Sequence, residues 1–81
     1  MSKLPRVTDK EKRVTALVEE LIKYYDKRLA ASGLGLDEFR AEMALDMEVA
    51  VNTLKGWVSR GTRPTGLYIV ALDHYLARVA R

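Results

Sequence analysis

Apolar residues recur at helical spacing between Val14 and Leu29. Val14, Leu17, Val18, Leu21, Ile22, Tyr25 and Leu29 share one face, and Glu19, Lys23, Asp26 and Lys27 fall on the opposite one. This predicts a long amphipathic helix. Thr8 and Glu11 have the spacing of a capping box, so the helix starts near Asp9. Ser32-Gly33 ends it, because glycine accepts the left-handed conformation past a helix C-terminus without steric cost. Leu36, Phe39, Met43 and Met47 define a second stripe on a helix starting near Asp37, and Asp46-Met47-Glu48 is expected to hold a turn. A third helix follows from about Ala50 to Arg60. At about 100° per residue, Trp57, Ala50, Leu54, Val58 and Val51 fall on one arc, and Lys55, Ser59, Asn52, Gly56 and Arg60 on the other. Gly61 stops this helix and Pro64 prevents its resumption. A last helix begins after Thr65 and turns Tyr68, Ile69, Leu72, Tyr75, Leu76 and Val79 inward. Its other side carries Leu67, Val70, Ala71, His74 and Ala77, more apolar surface than one helix on a small core needs to expose. The expected fold class is all-α: a single small domain of about four helices over residues 9–81, preceded by a basic flexible arm over residues 1–8.

Within this order, the run from Arg40 to Pro64 has the spacing of a helix-turn-helix. Ala44 is small enough to let two helices cross closely, with Met43 and Met47 beside it. Val49 follows the turn, and Leu54 and Trp57 face back from the second helix. Val49, Thr53-Leu54, Trp57, Gly61 and Pro64, followed by Leu72 and Leu76, give a pattern that resembles the phage-repressor-type, Cro-like helix-turn-helix family over roughly residues 37–76. The resemblance implies a lambda repressor-like fold in which the free face of the helix near 50–60 enters the major groove of DNA. The chain departs from the family pattern in two respects. Glu48 stands where the family usually has glycine, so it must either accept a left-handed conformation at about 1–2 kcal/mol or reshape the turn. Ala50 and Val51 open the recognition helix with small or apolar side chains, which leaves base reading to fewer groups.

Charge is distributed unevenly along the 81 residues, whose net value is +3. Lys3, Arg6, Lys10, Lys12 and Arg13 outweigh Asp9 and Glu11 at the start, and Lys55, Arg60, Arg63, Arg78 and Arg81 outweigh Asp73 from residue 52 onward. Asp37, Glu38, Glu42, Asp46 and Glu48 make the intervening segment acidic. A positive end attached to a groove-reading helix suits a polyanion, and an acidic first motif helix does not. There is no cysteine, hence no disulfide framework, which points weakly to a cytoplasmic protein. No uncharged stretch approaches the roughly 20 apolar residues that cross a bilayer, so no membrane association is expected.

Asn52, Lys55, Ser59 and Val51 are the candidates for base contact. Asn52 matches an adenine edge, and Lys55 reaches guanine O6/N7 or a phosphate. Arg60, Thr62, Arg63 and Arg40 are the candidate phosphate ligands, which fix register without reading sequence. For Arg40 the competing assignment is a local ion pair with Asp37 or Glu38. Trp57 lies on the apolar arc and belongs to the core rather than to a stacking platform. Leu67, Val70, Ala71, His74 and Ala77 form the expected homodimer interface, with the first helix and Tyr24 at its boundary as the competing surface. His74 has no acid or nucleophile arranged with it, so no enzyme activity is expected, and neither a metal, a cofactor nor a small-molecule substrate is implied. The sequence thus predicts a sequence-specific, homodimeric regulator that binds double-stranded DNA, a bacterial or phage repressor or activator. The alternative is a protein-interaction module, an inhibitor or adaptor, on the same scaffold.

Overall fold

Thr8 caps the first helix, α1 (Asp9–Ser32), its hydroxyl accepting the Glu11 N–H at 3.1 Å. Gly33 closes α1 at φ 71°. The computed structural model describes residues 8–81; the basic arm expected over residues 1–8 lies, up to residue 7, outside the described residues. The other helices are α2 (Leu36–Met47), α3 (Val51–Lys55), which runs directly into a π-helical segment (Gly56–Arg60), and α4 (Leu67–Val79). The domain is all-α, with no strand among the described residues.

All four helices contribute to one core. α1 supplies Val14, Leu17, Leu21 and Tyr25; α2 supplies Phe39, Met43 and Ala44. Leu54 comes from α3, Trp57 from the π-helical segment, and Ile69, Leu72, Tyr75 and Leu76 from α4. The rings interlock edge to face, Tyr25 on Phe39 at 5.1 Å and Trp57 on Tyr68 at 5.3 Å between centroids, an arrangement aromatic quadrupoles favour. Trp57 is therefore a core residue. No buried side-chain polar atom among the described residues lacks a hydrogen-bond partner. Arg81 closes the far end of the bundle, bridging Glu20 at 2.9 Å and Asp73 at 2.8 Å, while Arg13 also reaches Asp73 at 2.8 Å.

Several positions differ from the sequence expectation. α2 starts at Leu36, whose side chain is exposed rather than part of the stripe. Asp46 and Met47 stay inside α2, and the turn begins only at Glu48. Ala50 is the N-cap of α3 and is exposed, as is Val51, so neither belongs to the inner arc. Gly56, placed on the outer arc by a regular wheel, is buried. Thr62, in the chain that turns back after Arg60, covers it, a contact that a helical wheel does not include. Tyr68, expected inside, is half covered, one ring edge on Trp57 and the rest in solvent.

Candidate nucleic-acid interface

The connection between α2 and α3 is fixed by backbone hydrogen bonds. Val49 N–H reaches back to the Ala44 carbonyl at 3.0 Å and Glu48 N–H to the Leu45 carbonyl at 3.1 Å, the paired bonds of a Schellman motif. This motif requires a left-handed residue between them. Glu48 supplies it at φ 60° and ψ 40°, the only non-glycine residue with positive φ among the described residues. Of the two outcomes open to a non-glycine residue here, the chain adopts the strained one. Val49 then packs against the core beside Ala44, which is 1% exposed, so the small side chain does lie where the two helices meet.

α3 begins with the Thr53 and Leu54 N–H groups both donating to the Ala50 carbonyl, at 3.0 and 3.2 Å. Leu54 is fully buried, which anchors the helix and directs Val51 and Asn52 to solvent, with Lys55 half-buried beside them. Ser59 is also exposed, but its hydroxyl donates to the Lys55 carbonyl at 2.7 Å. Its proton is thus committed within the helix, and only its oxygen remains to accept. The Gly56 carbonyl accepts from both Gly61 and Thr62 N–H, the latter at 3.0 Å, and turns the chain sharply after Arg60. A Cβ on Gly56 would stand 3.1 Å from both Cβ and Oγ1 of Thr62, so a side chain there would push Thr62 outward by a few tenths of an ångström.

Arg60, Thr62 and Arg63 are exposed after this turn, and among the described residues neither arginine is engaged in an ion pair. Buried Pro64 holds Arg63 against the first turn of α1, where Thr8, Lys10, Glu11 and Thr15 complete a cleft of about 500 Å³. Lys55, Arg60 and Arg63 therefore lie along one continuous stretch of chain, with Lys10 across the cleft from Arg63. Arg40 is placed differently. Its Nε donates to the Tyr25 hydroxyl at 2.9 Å, tying α2 to α1, and no ion pair with Asp37 or Glu38 forms.

Behind the turn lies a polar cluster that sequence spacing did not reveal. The Tyr75 hydroxyl on α4 donates to Asp46 Oδ2 on α2 at 2.9 Å, and Arg28 Nη1 on α1 donates to the same oxygen at 3.1 Å and to the Tyr75 hydroxyl at 3.1 Å. Arg28, then Tyr75, hold the Asp46 carboxyl below its ordinary range through these bonds. Burial, followed by the bond to Asp46, pushes the Tyr75 hydroxyl well up. The cluster fastens three helices at the C-terminal end of α2, two residues before the left-handed Glu48. Its members are separated by 18 and 29 residues, so only Tyr24 and Arg28, four apart on α1, left a local trace.

Leu67, Val70, Ala71, His74 and Ala77 are all exposed on α4, with Leu67 86% and Val70 48% accessible. The surplus face foreseen from the sequence is uncovered in the folded chain. Tyr24, on the competing surface, is half-buried with its ring edge-on to Tyr75 at 6.0 Å. Among the described residues no group of three His, Cys, Asp or Glu side chains is placed to hold a metal ion, and no helix is long and apolar enough to cross a membrane. No protein-family model, no curated protein and no solved structure matches the chain.

Proposed function

We propose that this chain is a sequence-specific double-stranded DNA-binding regulator that acts as a homodimer, inserting α3 in the major groove. The observation that carries this reading is the way α3 and the segment after it divide between core and solvent. Leu54 and Trp57 are sunk in the core, while Val51 and Asn52 stand outward, with half-buried Lys55 beside them, and lead into Arg60 and Arg63. These three side chains, one of them apolar, read few base edges, so specific affinity calls for two copies on a two-fold-related site. The bare α4 face supports α4 as the surface on which the two copies meet. Asn52 and Lys55 are the base readers. Ser59 is a weaker one because its proton is committed, and Arg60, Thr62 and Arg63 grip phosphates. Arg40 reaches the backbone only with the part of its guanidinium not bound to Tyr25.

A salt-dependent titration with duplex DNA tests this without knowledge of the operator. Binding to arbitrary duplex weakens steeply as salt rises, and Arg63→Ala weakens it on every sequence alike while lowering the log–log salt slope by about 1. Absence of binding at low salt removes the regulator reading and leaves the inhibitor or adaptor in its place.

A further inference from the structure

Leu45 on α2 is 79% exposed, an unusual position for a leucine, and its carboxylate neighbours Glu42 and Glu48 line the same shallow surface. It forms an apolar knob between two acidic groups. On the adjoining surface, Tyr24, Ala31 and Val79 form the apolar floor of an open groove of about 510 Å³ between α1 and the end of α4, and Lys23 and Lys27 stand on its rim. Knob and groove are opposite in shape and in net charge: Arg78 shares the Leu45 surface with Glu42 and Glu48 without balancing them, and Glu20 in the groove is already paired with Arg81, which leaves Lys23 and Lys27 dominant there. They meet at Arg28, which borders both and is neutralised by Asp46. We propose that the groove receives Leu45 of a second copy of this chain, with Glu42 and Glu48 of that copy facing Lys23 and Lys27.

Both halves of the fit belong to one chain, which is the reason to assign a second copy rather than an unrelated partner. Because they adjoin, a two-fold axis passing beside Arg28 satisfies both at once. The contact uses α1, α2 and the end of α4, and so leaves α3 and the Leu67, Val70 and His74 face unused. It is additional to the dimer proposed above and does not depend on it. Two leucines and four solvent-exposed ion pairs, one leucine and two pairs in each half of the two-fold contact, still make a weak association, with a dissociation constant on the order of 0.1–1 mM. Such a contact acts between molecules already held side by side, where effective concentrations reach the millimolar range.

The test is a dilution series of the isotope-labelled Val70→Glu chain, which lacks the α4 contact, followed by amide chemical shifts between about 1 mM and 0.05 mM, a range bracketing the expected affinity. Shifts that change with concentration should cluster at Leu45 and Glu42 on one side and at Tyr24, Lys27 and Val79 on the other. Leu45→Asp, Lys27→Glu and Glu42→Lys each weaken association by about tenfold or more, since a like-charge or desolvated pairing exceeds the 1.4 kcal/mol that a factor of ten represents. Combining Lys27→Glu with Glu42→Lys restores it. Concentration-independent shifts, changes centred elsewhere, or a double reversal that fails to recover each overturn the proposal. Sedimentation of the same chain at low concentration reports separately on the α4 dimer.

Discussion

Glu48 holds a left-handed conformation that glycine would hold without strain, and its replacement tests how the turn stores energy. A Cβ in this region costs about 1–2 kcal/mol. Glycine at the same place removes that cost but gives the unfolded chain extra freedom worth about 0.4–1 kcal/mol, leaving a net gain of roughly 0.5–1 kcal/mol. Glu48 also places a negative charge at the C-terminal end of α2, where carbonyl dipoles already concentrate negative potential, an opposition worth about 0.3 kcal/mol at an exposed site. Glu48→Ala removes only the charge, and Glu48→Gly removes both. Glu48→Gly should therefore exceed Glu48→Ala by about 0.5–1 kcal/mol and the parent chain by about 1 kcal/mol. Urea unfolding, followed in parallel by helical circular dichroism and by the fluorescence of Trp57, the single tryptophan, reads this directly. With a slope of about 1 kcal/mol/M for a domain this small, the midpoint for Glu48→Gly moves about 1 M above the parent at unchanged slope. Equal stability of the glycine and alanine variants would refute the reasoning, because it would mean that the left-handed conformation at this residue costs no more than the about 0.4–1 kcal/mol of chain freedom that glycine adds to the unfolded state.

Trp57→Ala should lower stability by about 3–5 kcal/mol and leave much of the population unfolded; a native melting curve with DNA binding alone lost would show that Trp57 serves the interface instead. Tyr75→Phe deletes the hydroxyl shared by Asp46 and Arg28 and should cost about 1 kcal/mol near neutral pH. Because Arg28 and Tyr75 depress the Asp46 pKa, the stability from this group is present above the unfolded carboxylate value of about 3.9 and is lost as pH falls through the folded value. Tyr75→Phe should thus show a shallower acid-side loss in urea midpoints measured below about pH 5, whereas an unchanged acid profile would mean that Tyr75 does not support the charge on Asp46. Val70→Glu should be a folded monomer at tens of micromolar, with helical content intact and much reduced operator affinity; a dimer surviving in sedimentation would move the interface to α1 around Tyr24.

Helix periodicity made most of the fold legible. Val14, Leu17, Leu21 and Tyr25 form the buried edge of α1 as their spacing requires, and Gly33 and Gly61 end helices at positive φ where glycine was expected to. Tertiary closeness was less accessible. A wheel takes account only of neighbours on the same helix, so it misplaced Gly56, which Thr62 covers from the chain beyond the helix end. It also turned Ala50 and Val51 inward, although a helix that begins at Val51 has no preceding turn to cover them. The charges of α2 were visible as a run, but not their division of labour: Asp46 is drawn into the cluster with Arg28 and Tyr75 from two other helices, while Glu42 and Glu48 stay outside. Arg40 was read as a surface cation because nothing local shows that the Tyr25 hydroxyl, at the polar end of a buried ring, needs a donor.

The π-helical segment gives the length of the chain a meaning apart from its composition. A π turn is a helix carrying one residue too many, and deleting one residue between Gly56 and Arg60 would let the chain relax into ordinary α-helix. The five residues of the widened segment turn through roughly the angle that four α-helical residues cover, so Arg60, Thr62 and Arg63 would keep nearly the aim they now have relative to Lys55. The same deletion inside α3, where no turn is widened to absorb it, would instead swing that group by about 100° around the helix axis. The widened turn thus lets the chain carry one more residue between these two groups without changing their relative aim, and a single-codon deletion there should be tolerated where its counterpart in α3 is not.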